Sequence, residues 1–205
     1  MIMLPGMGAD SSMYPAKYYD QLTEVNFIDW PEYSGEKSIE EVAEKIIEIH
    51  RPENDKIIGG SSLGGMVAIQ VAKMVNIKRV LLVSSTINSS NINPALRKIS
   101  GLAELTPIEL IQVLAGKLNL HLKKDVLTMF ENSDTDFIRS MCVAVFEWPG
   151  IEDYKCEVRH IHGKLDMVIF PPKKDVKIIP WGGHLISMTH GDLVSRFIKN
   201  KLNSF

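Results

Sequence analysis

Cysteine is scarce in this sequence, and so is any surplus of positive charge. The two cysteines, Cys142 and Cys156, form neither a C-x-x-C pair nor a spacing typical of a metal site. In an intracellular protein such residues are more often reduced and buried than bridged, so we expect structural thiols. The formal net charge is -2. This balance offers no basic surface for a nucleic acid or an anionic membrane, and we expect neither partner.

Long apolar runs are also absent. No run approaches the ~18 apolar residues of a membrane span. The apolar start, residues 1–4, runs directly into Pro5-Gly6 and is too short for the apolar region of a signal peptide. We therefore expect a cytoplasmic protein. With 205 residues, 45 % hydrophobic and 23 % charged, the chain has the composition of one ordinary globular domain, residues 1–205.

Strand and helix patterns alternate along most of the chain. The apolar centre of residues 78–84 is typical of a strand buried on both faces of a parallel sheet. Ser38 and Glu41 form a capping box, which predicts a helix over residues 38–50. Helical patterns also cover residues 12–22 and the segment after Ser62. The predicted strands are residues 1–4, 25–30, 56–60, 78–84, 155–161 and 175–179. This alternation predicts an α/β fold with a doubly wound, mostly parallel sheet of about six strands.

The alternation stops between residues 88 and 150, where the pattern becomes helical. Thr106-Pro107 is typical of a helix start, and residues 134–147 carry apolar side chains at helical spacing. We interpret residues 88–150 as a short helical lid or cap inserted into the single domain. Toward the carboxyl terminus, Thr189 and Asp192 predict the cap of a closing helix that ends near Lys201.

One glycine-flanked serine suggests a nucleophile. Residues 60–64 read Gly60-Ser61-Ser62-Leu63-Gly64, the G-x-S-x-G spacing, between a predicted strand and a predicted helix. A weakly nucleophilic hydroxyl must stand clear of the backbone on a tight turn, and the flanking positions then crowd each other. Gly60 and Gly64 suit those positions because they carry no side chain. The following helix directs its N–H groups toward the place where an oxyanion would form. Ser61 lacks symmetric glycine flanks, and we interpret it as structural.

Three more features follow predicted strands in the way that Ser62 does. They are the Gly6-Met7-Gly8 loop, Asp166 and His184. In a doubly wound sheet, ligands bind beyond the carboxyl ends of the strands, so these residues are expected to converge. Serine, aspartate and histidine in that chain order match the triad order of one hydrolase fold.

Two alternatives remain open at this point. An aspartate after a strand is also a common turn former, and Asp153 or Glu152 are the other carboxylates that could take the role of Asp166. His160 and His162 lie on one face of a strand, which could suggest a metal pair. They have no third ligand nearby in the sequence, so we expect packing or support for the site instead. We predict no metal and no cofactor.

The chain resembles the α/β-hydrolase superfamily, in its serine esterase and lipase-like branch, over nearly its whole length. The segments that carry the resemblance are Leu4-Pro-Gly-Met-Gly8, Gly60-Ser-Ser-Leu-Gly64, His162-Gly-Lys-Leu-Asp166 and Gly182-Gly-His184. The resemblance implies that Ser62 is the nucleophile, His184 the general base and acid, and Asp166 the carboxylate that orients it. It also implies an oxyanion hole formed by the N–H groups of Leu63 and Met7.

The chain departs from the family pattern in two ways. It opens at what would be the third strand of the full fold, so the leading hairpin is missing and the expected strand order is 2-1-3-4-5-6. It also has Pro5-Gly6 where many relatives have His-Gly. The resemblance implies hydrolysis of a carboxylic ester or thioester of a small, fairly apolar acyl group. The alternatives are amide or lactone cleavage, acyl transfer or perhydrolysis on the same triad, and a non-catalytic binding protein on the same fold.

Overall fold

One sheet of six parallel strands forms the centre of the computed structural model, which describes residues 1–52, 56–96 and 120–203. The strands are β1 (Ile2–Leu4), β2 (Asn26–Phe27), β3 (Ile57–Ser61), β4 (Arg79–Val83), β5 (Glu157–Gly163) and β6 (Val176–Ile179). Their order across the sheet is β2-β1-β3-β4-β5-β6, and each neighbouring pair is parallel. The predicted fold class and strand order are confirmed.

The sheet is doubly wound, and this topology locates a binding site. The chain runs from β1 outward to β2, then returns to build β3, β4, β5 and β6 on the other side of β1. The strand order therefore reverses between β1 and β3. Ligands of such sheets bind outside the carboxyl ends of the strands at this switch point. The ends of β1 and β3 are Leu4 and Ser61, next to the two glycine-containing segments that the sequence singles out.

Helices cover both faces of the sheet. They are α1 (Ala16–Tyr19), α2 (Ile39–His50), α3 (Leu63–Met74), α4 (Leu120–Asn132), α5 (Thr135–Glu147), α6 (Ile186–Thr189) and α7 (Gly191–Leu202). Short 3₁₀ turns occupy Ser11–Met13, Ser89–Asn91 and Pro94–Leu96. Alternate side chains of β4 enter different layers, because successive residues of a strand point to opposite faces. Leu82 packs in the layer of α2, α3 and α5, whereas Leu81 packs in the layer of α1, α4 and α7.

Helix α2 agrees closely with the sequence pattern. The Ser38 hydroxyl accepts a hydrogen bond from the Glu41 N–H at 3.1 Å, as an N-cap should. The helix places Val42 and Ile46 in the core and ends before Arg51, which adopts a left-handed conformation with φ of 46°. Burial of that apolar face supplies most of the stability of a helix of this length.

The second strand and the first helix are shorter than predicted. Strand β2 pairs only with β1, which itself has three residues, so the ladder ends at Phe27 although the sequence pattern runs to residue 30. The helix predicted over residues 12–22 is a 3₁₀ turn followed by α1. Pro15 separates the two, because a proline disfavours helical backbone at the residue before it.

The predicted cap of the closing helix is wrong. Thr189 is the last residue of α6, and its hydroxyl donates to the Leu185 carbonyl at 2.9 Å instead of capping α7. Helix α7 begins after His190 at Gly191, whose Cα lies against the Tyr18 ring so closely that a Cβ would overlap it. This approach of α7 to the segment around α1 sets the start of the helix, and a local sequence pattern does not report it.

The described residues of the segment between residues 88 and 150 form two 3₁₀ turns and the helices α4 and α5, while Ile92 forms an isolated antiparallel bridge with Ile169. The helix predicted over residues 134–147 is confirmed as α5, with the Asp134 carboxylate accepting from the N–H groups of Asp136 and Phe137. The predicted helix start at Thr106-Pro107 lies outside the described residues. Within the described ranges, no helix is both long enough and apolar enough to cross a bilayer.

Candidate active site

Ser62 stands on the turn between β3 and α3. Its backbone has φ of 52° and ψ of -120°, a conformation that non-glycine residues rarely adopt and that surrounding structure must hold in place. Hydrogen bonds do so: the Ser62 N–H donates to the Val83 carbonyl at 3.0 Å, and the Ser62 carbonyl accepts from the Gly65 N–H at 3.0 Å and from the Ser85 hydroxyl at 2.6 Å. The turn lifts the Ser62 side chain above the carboxyl end of β3, where it is half-buried.

Two glycines make this turn possible. A Cβ on Gly60 would lie 2.7 Å from the Gly65 nitrogen and would overlap the Gly64 carbonyl group. A Cβ on Gly64 would lie 2.7 Å from the Leu4 carbonyl oxygen and would overlap that of Pro5. The crowding that the sequence pattern implies is thus backbone against backbone, which no rotation of a side chain relieves.

We expect Gly64→Ala to prevent formation of the turn. The added methyl group meets carbonyl oxygens of the segment before Met7, so the variant should lose about 3 kcal/mol of unfolding free energy or more, or fail to accumulate. Gly183→Ala is the matched control, because a Cβ there has no atom within 4 Å. Denaturant unfolding of both variants checks this. Equal stability of the two would contradict the close approach.

His184 connects Ser62 to Asp166. Its Nε2 lies 2.9 Å from Ser62 Oγ, and its Nδ1 lies 2.8 Å from Asp166 Oδ2. The histidine follows β6 and is 7 % exposed, while the aspartate follows β5 and is 2 % exposed. Three residues that are far apart in the sequence thus form one hydrogen-bonded line at the carboxyl ends of three strands.

The Asp166 carboxylate uses its two oxygens for different tasks. Oδ1 accepts hydrogen bonds from the N–H groups of Val168 and Ile169 at 2.9 and 3.0 Å, which orient the carboxylate in its loop. Oδ2 faces His184 and His162, at 2.8 and 3.0 Å. Burial acts to raise the pKa of Asp166, but the two histidines outweigh it and hold the pKa well below its ordinary range. The carboxyl therefore stays ionised at neutral pH, as a partner of a histidinium must.

His162 has a place in the site that the sequence pattern does not assign to it. The side chain is fully buried, and its Nε2 lies 2.8 Å from the Ile169 carbonyl oxygen and 3.0 Å from Asp166 Oδ2. Both partners are acceptors, so Nε2 carries the proton and donates. The expectation that His160 and His162 pack or support the site fits this contact for His162. Among the residues that the structure describes, no group of three or more histidine, cysteine or acidic side chains is arranged to hold a metal ion.

The loop after β1 forms the other wall of the site. A Cβ on Gly6 would lie 3.6 Å from Ser62 Cβ, so this loop runs directly beside the serine. Residues 6–9 form a turn closed by the Ala9 N–H, which donates to the Gly6 carbonyl at 3.3 Å, and Gly8 has φ of 65° at the third position, where glycine is preferred. Met7 occupies the second position of the turn, whose N–H has no partner within a turn.

The two expected oxyanion donors are available for a ligand. In the described ranges, neither the Met7 N–H nor the Leu63 N–H donates to a protein acceptor. Leu63 is the first residue of α3, where N–H groups lack an intrahelical partner and the helix dipole favours a negative charge. Leu63 follows Ser62 directly in the sequence, and Met7 follows Gly6, where a Cβ would lie 3.6 Å from Ser62 Cβ.

A buried row of hydroxyl groups lies behind the serine turn. Ser187 Oγ lies 2.9 Å from Ser61 Oγ, Ser61 Oγ lies 2.9 Å from the Tyr14 hydroxyl, and that hydroxyl lies 2.7 Å from the Leu4 carbonyl oxygen. A carbonyl only accepts, so Tyr14 donates to Leu4 and each serine can donate to the next hydroxyl. Burial raises the pKa of Tyr14, which keeps this proton in place. The row joins α6, β3 and β1, the elements next to His184, Ser62 and Met7.

Helices α4 and α5 of the 88–150 segment contact the loop after β1. The Sγ of Cys142 in α5 lies 3.5 Å from Met7 Sδ. The ring of Phe130 in α4 packs against Gly8 so closely that a Cβ on Gly8 would lie 2.5 Å from it. Cys142 and Cys156 are not bonded to each other. Of the other carboxylates considered from the sequence, Glu152 and Asp153 are exposed to solvent, whereas Asp166 is buried against His184.

Comparison with known proteins shows which fold this chain shares. The sequence matches no protein-family model and no curated protein. Its structure, however, is similar to many solved structures. A hydrolase from Oleispira antarctica matches with a TM-score of 0.84 at 16 % identity, covering 100 % of this chain and 90 % of the other.

Two further matches have similar extent. The enol-lactonase from Burkholderia xenovorans LB400 matches with a TM-score of 0.79 at 15 % identity, over 99 % of this chain and 91 % of the other. A thermophilic esterase from Thermogutta terrifontis matches with a TM-score of 0.75 at 18 % identity, over 98 % and 88 %. At these identities the likeness concerns the fold, and the chain has the α/β-hydrolase fold.

Proposed function

We propose that this chain is a serine hydrolase that cleaves a carboxylic ester or thioester through an acyl-enzyme. The observation that carries the proposal is the hydrogen-bonded line from Ser62 Oγ through His184 to Asp166, at 2.9 and 2.8 Å. A serine hydroxyl at hydrogen-bond distance from a histidine, itself oriented by a buried carboxylate, is the arrangement that nucleophilic catalysis needs. The fold is shared with solved structures of esterases and hydrolases.

Acylation begins with proton transfer from Ser62 to His184. As Ser62 Oγ attacks the carbonyl carbon of the substrate, His184 Nε2 accepts the hydroxyl proton, and the carbonyl oxygen becomes an oxyanion. Asp166 keeps the remaining His184 proton on Nδ1 and stabilises the histidinium through its negative charge. The N–H groups of Met7 and Leu63 are the donors for the oxyanion. Collapse of the tetrahedral intermediate then breaks the bond to the alcohol or thiol, which leaves with the proton from Nε2.

Deacylation repeats these steps with water. His184 Nε2 accepts a proton from a water molecule, whose oxygen attacks the acyl carbon, and the same two N–H groups stabilise the second oxyanion. The intermediate expels Ser62 Oγ, which takes the proton back from His184. All groups required for both steps belong to the chain itself, so the proposed mechanism uses no cofactor and no metal.

The proposed substrate carries a small, fairly apolar acyl group, and the side chains beside the loop after β1 support its apolar character. Met7, Cys142 and Phe130 present sulfur atoms and an aromatic ring beside the oxyanion loop. We interpret residues 88–150 as a lid or cap, since α4 and α5 contact this loop and such segments shape the substrate pocket. The partner is then a small ester-like molecule. The two unbridged cysteines suit the reducing cytoplasm, which we propose as the compartment.

Hydrolysis of p-nitrophenyl esters from acetate to decanoate tests the proposal. We expect measurable turnover that is greatest for short acyl chains. An acyl thioester and an enol lactone belong in the same series, because an enol-lactonase is among the similar structures. A folded sample that turns over none of these substrates would contradict the proposal and favour a binding protein on the hydrolase fold.

A further inference from the structure

Trp30 reaches the oxyanion loop from outside the proposed site. Its indole Nε1–H donates a hydrogen bond to the Gly6 carbonyl oxygen at 2.9 Å. The residue follows β2 at the edge of the sheet, and none of the segments that resemble the hydrolase superfamily contains it.

The acceptor and the proposed oxyanion donor belong to one peptide group. The carbonyl of Gly6 and the N–H of Met7 share the bond between these two residues. A trans peptide is planar, so its C=O and N–H point in opposite directions. Because Trp30 holds the oxygen on one side of the loop, the Met7 N–H must point to the other side. A hydrogen bond that fixes the Gly6 carbonyl therefore also fixes the direction of the Met7 N–H.

The loop needs such a restraint. Glycines stand on both sides of Met7, and Gly8 already adopts φ of 65°. Glycine permits a wide range of backbone angles, so a peptide next to it can rotate at low cost. The Gly6 carbonyl also accepts from the Ala9 N–H at 3.3 Å, a longer bond than that from Trp30, and the Gly6 N–H donates to the sulfur of Met13 at 3.0 Å, a weak acceptor.

We propose that Trp30 is a positioning residue that orients the Met7 N–H toward the oxyanion by holding the Gly6–Met7 peptide. This inference rests on the proposed function of the same site. The 88–150 segment supports the tryptophan, because the Phe137 ring of α5 packs on the Trp30 ring with centroids 5.3 Å apart. Helix α5 thus contacts Met7 through Cys142 and holds its peptide through Phe137 and Trp30.

Trp30→Phe removes the N–H while keeping an aromatic ring against Phe137. We expect kcat for p-nitrophenyl acetate to fall about 10- to 100-fold, while KM changes less than about threefold, because the oxyanion exists only in the transition state. Trp148→Phe is the matched control. Trp148 is buried whereas Trp30 is half-buried, and the Trp148 Nε1 has no hydrogen-bond partner in the part of the chain that the structure describes, so this variant should keep its kcat.

A second variant separates the N–H from the shape of the ring. Benzothienylalanine at position 30 replaces only the indole N–H by sulfur, and it should reproduce the kcat loss with the melting temperature of the wild type. A trifluoromethyl ketone inhibitor forms an oxyanion on Ser62. Its inhibition constant should therefore rise in both variants by the same factor by which kcat/KM falls. A structural role alone would not produce this match.

The outcomes distinguish this inference from the proposed function. An inactive wild-type protein would contradict the proposed hydrolase function. An active wild-type protein whose kcat survives both changes at Trp30 would overturn only the positioning role. A fall in kcat that Trp148→Phe shares would likewise overturn it, because general loss of packing would then account for the effect.

Discussion

Ser62→Ala is expected to lower kcat for p-nitrophenyl acetate by about 10⁴-fold or more while the protein stays folded. In the proposed mechanism the Ser62 hydroxyl oxygen bonds to the acyl carbon, whereas Ser61 Oγ lies in the buried row with Tyr14 and Ser187. Steady-state kinetics with a matched thermal melt provide the measurement. The substitution introduces no steric clash, because alanine is smaller than serine.

The neighbouring serine supplies the control for this variant. Ser61→Ala should lose some stability, because two buried hydroxyls lose a partner, yet it should retain most of its activity. Combining Ser62→Ala with His184→Ala should cost little more than either change alone, because the two residues act as one unit. Ser62→Ala with nearly full activity would contradict its role as the nucleophile.

Asp166→Asn is expected to lower kcat by about 10⁴-fold. The two N–H groups that bond to Oδ1 hold the amide oxygen there, so the amide nitrogen takes the position of Oδ2, which faces His184 Nδ1. The Nε2–H of His162 then keeps the Ile169 carbonyl as its acceptor. An amide nitrogen donates, so His184 Nδ1 has to accept and its proton moves to Nε2. That tautomer cannot take the proton of Ser62. The fold stays nearly intact, but the histidine is in the wrong protonation state.

Asp153→Asn is the matched control, because Asp153 is exposed and its neutralisation should leave kcat unchanged. If Asp166→Asn kept nearly full activity, the acid role would pass to Asp153 or Glu152. Stability offers an independent check. The folded-state pKa of Asp166 lies below its ordinary value, so its ionised form contributes stability above about pH 4 that is lost as the pH falls toward the folded-state pKa. The asparagine variant should lack this loss between pH 5 and pH 3 in denaturant unfolding.

Local patterns in the sequence sufficed for much of this fold. Apolar runs such as residues 78–84 indicate buried parallel strands, since both faces of such a strand are covered. The turn at Ser62 could also be predicted from the sequence, because the steric crowding that requires Gly60 and Gly64 arises within five residues. Asp166 and His184 could be proposed because each follows a strand, and the carboxyl ends of parallel strands meet along one edge of the sheet.

Contacts between distant segments were not visible in the same way. Trp30 bonds to Gly6 across 24 positions, and Tyr14 meets Ser61 across 47. Nothing in the residues around Trp30 distinguishes it from a core aromatic. The same reason explains the wrong prediction at Thr189: a capping pattern was present, but the approach of Gly191 to Tyr18 decided where α7 begins.

His162 lies between these two cases. Its spacing of four residues before Asp166 was apparent, and so was its place on the same strand face as His160. The sequence pattern did not indicate the turn after β5, which brings Asp166 Oδ2 within 3.0 Å of His162 Nε2. The contact of both His162 and His184 with one oxygen of Asp166 therefore depends on the fold of this loop.

Labelling with a fluorophosphonate probe tests the central claim most directly. The probe reacts with a serine only where a base activates the hydroxyl and donors stabilise the oxyanion-like phosphoryl group, so it tests all parts of the proposed site together. Intact-mass measurement of the folded protein should show one added label, and peptide mapping should locate it on Ser62, with no label in Ser62→Ala. A folded wild-type sample that gains no mass, or a label on another residue, would contradict the account.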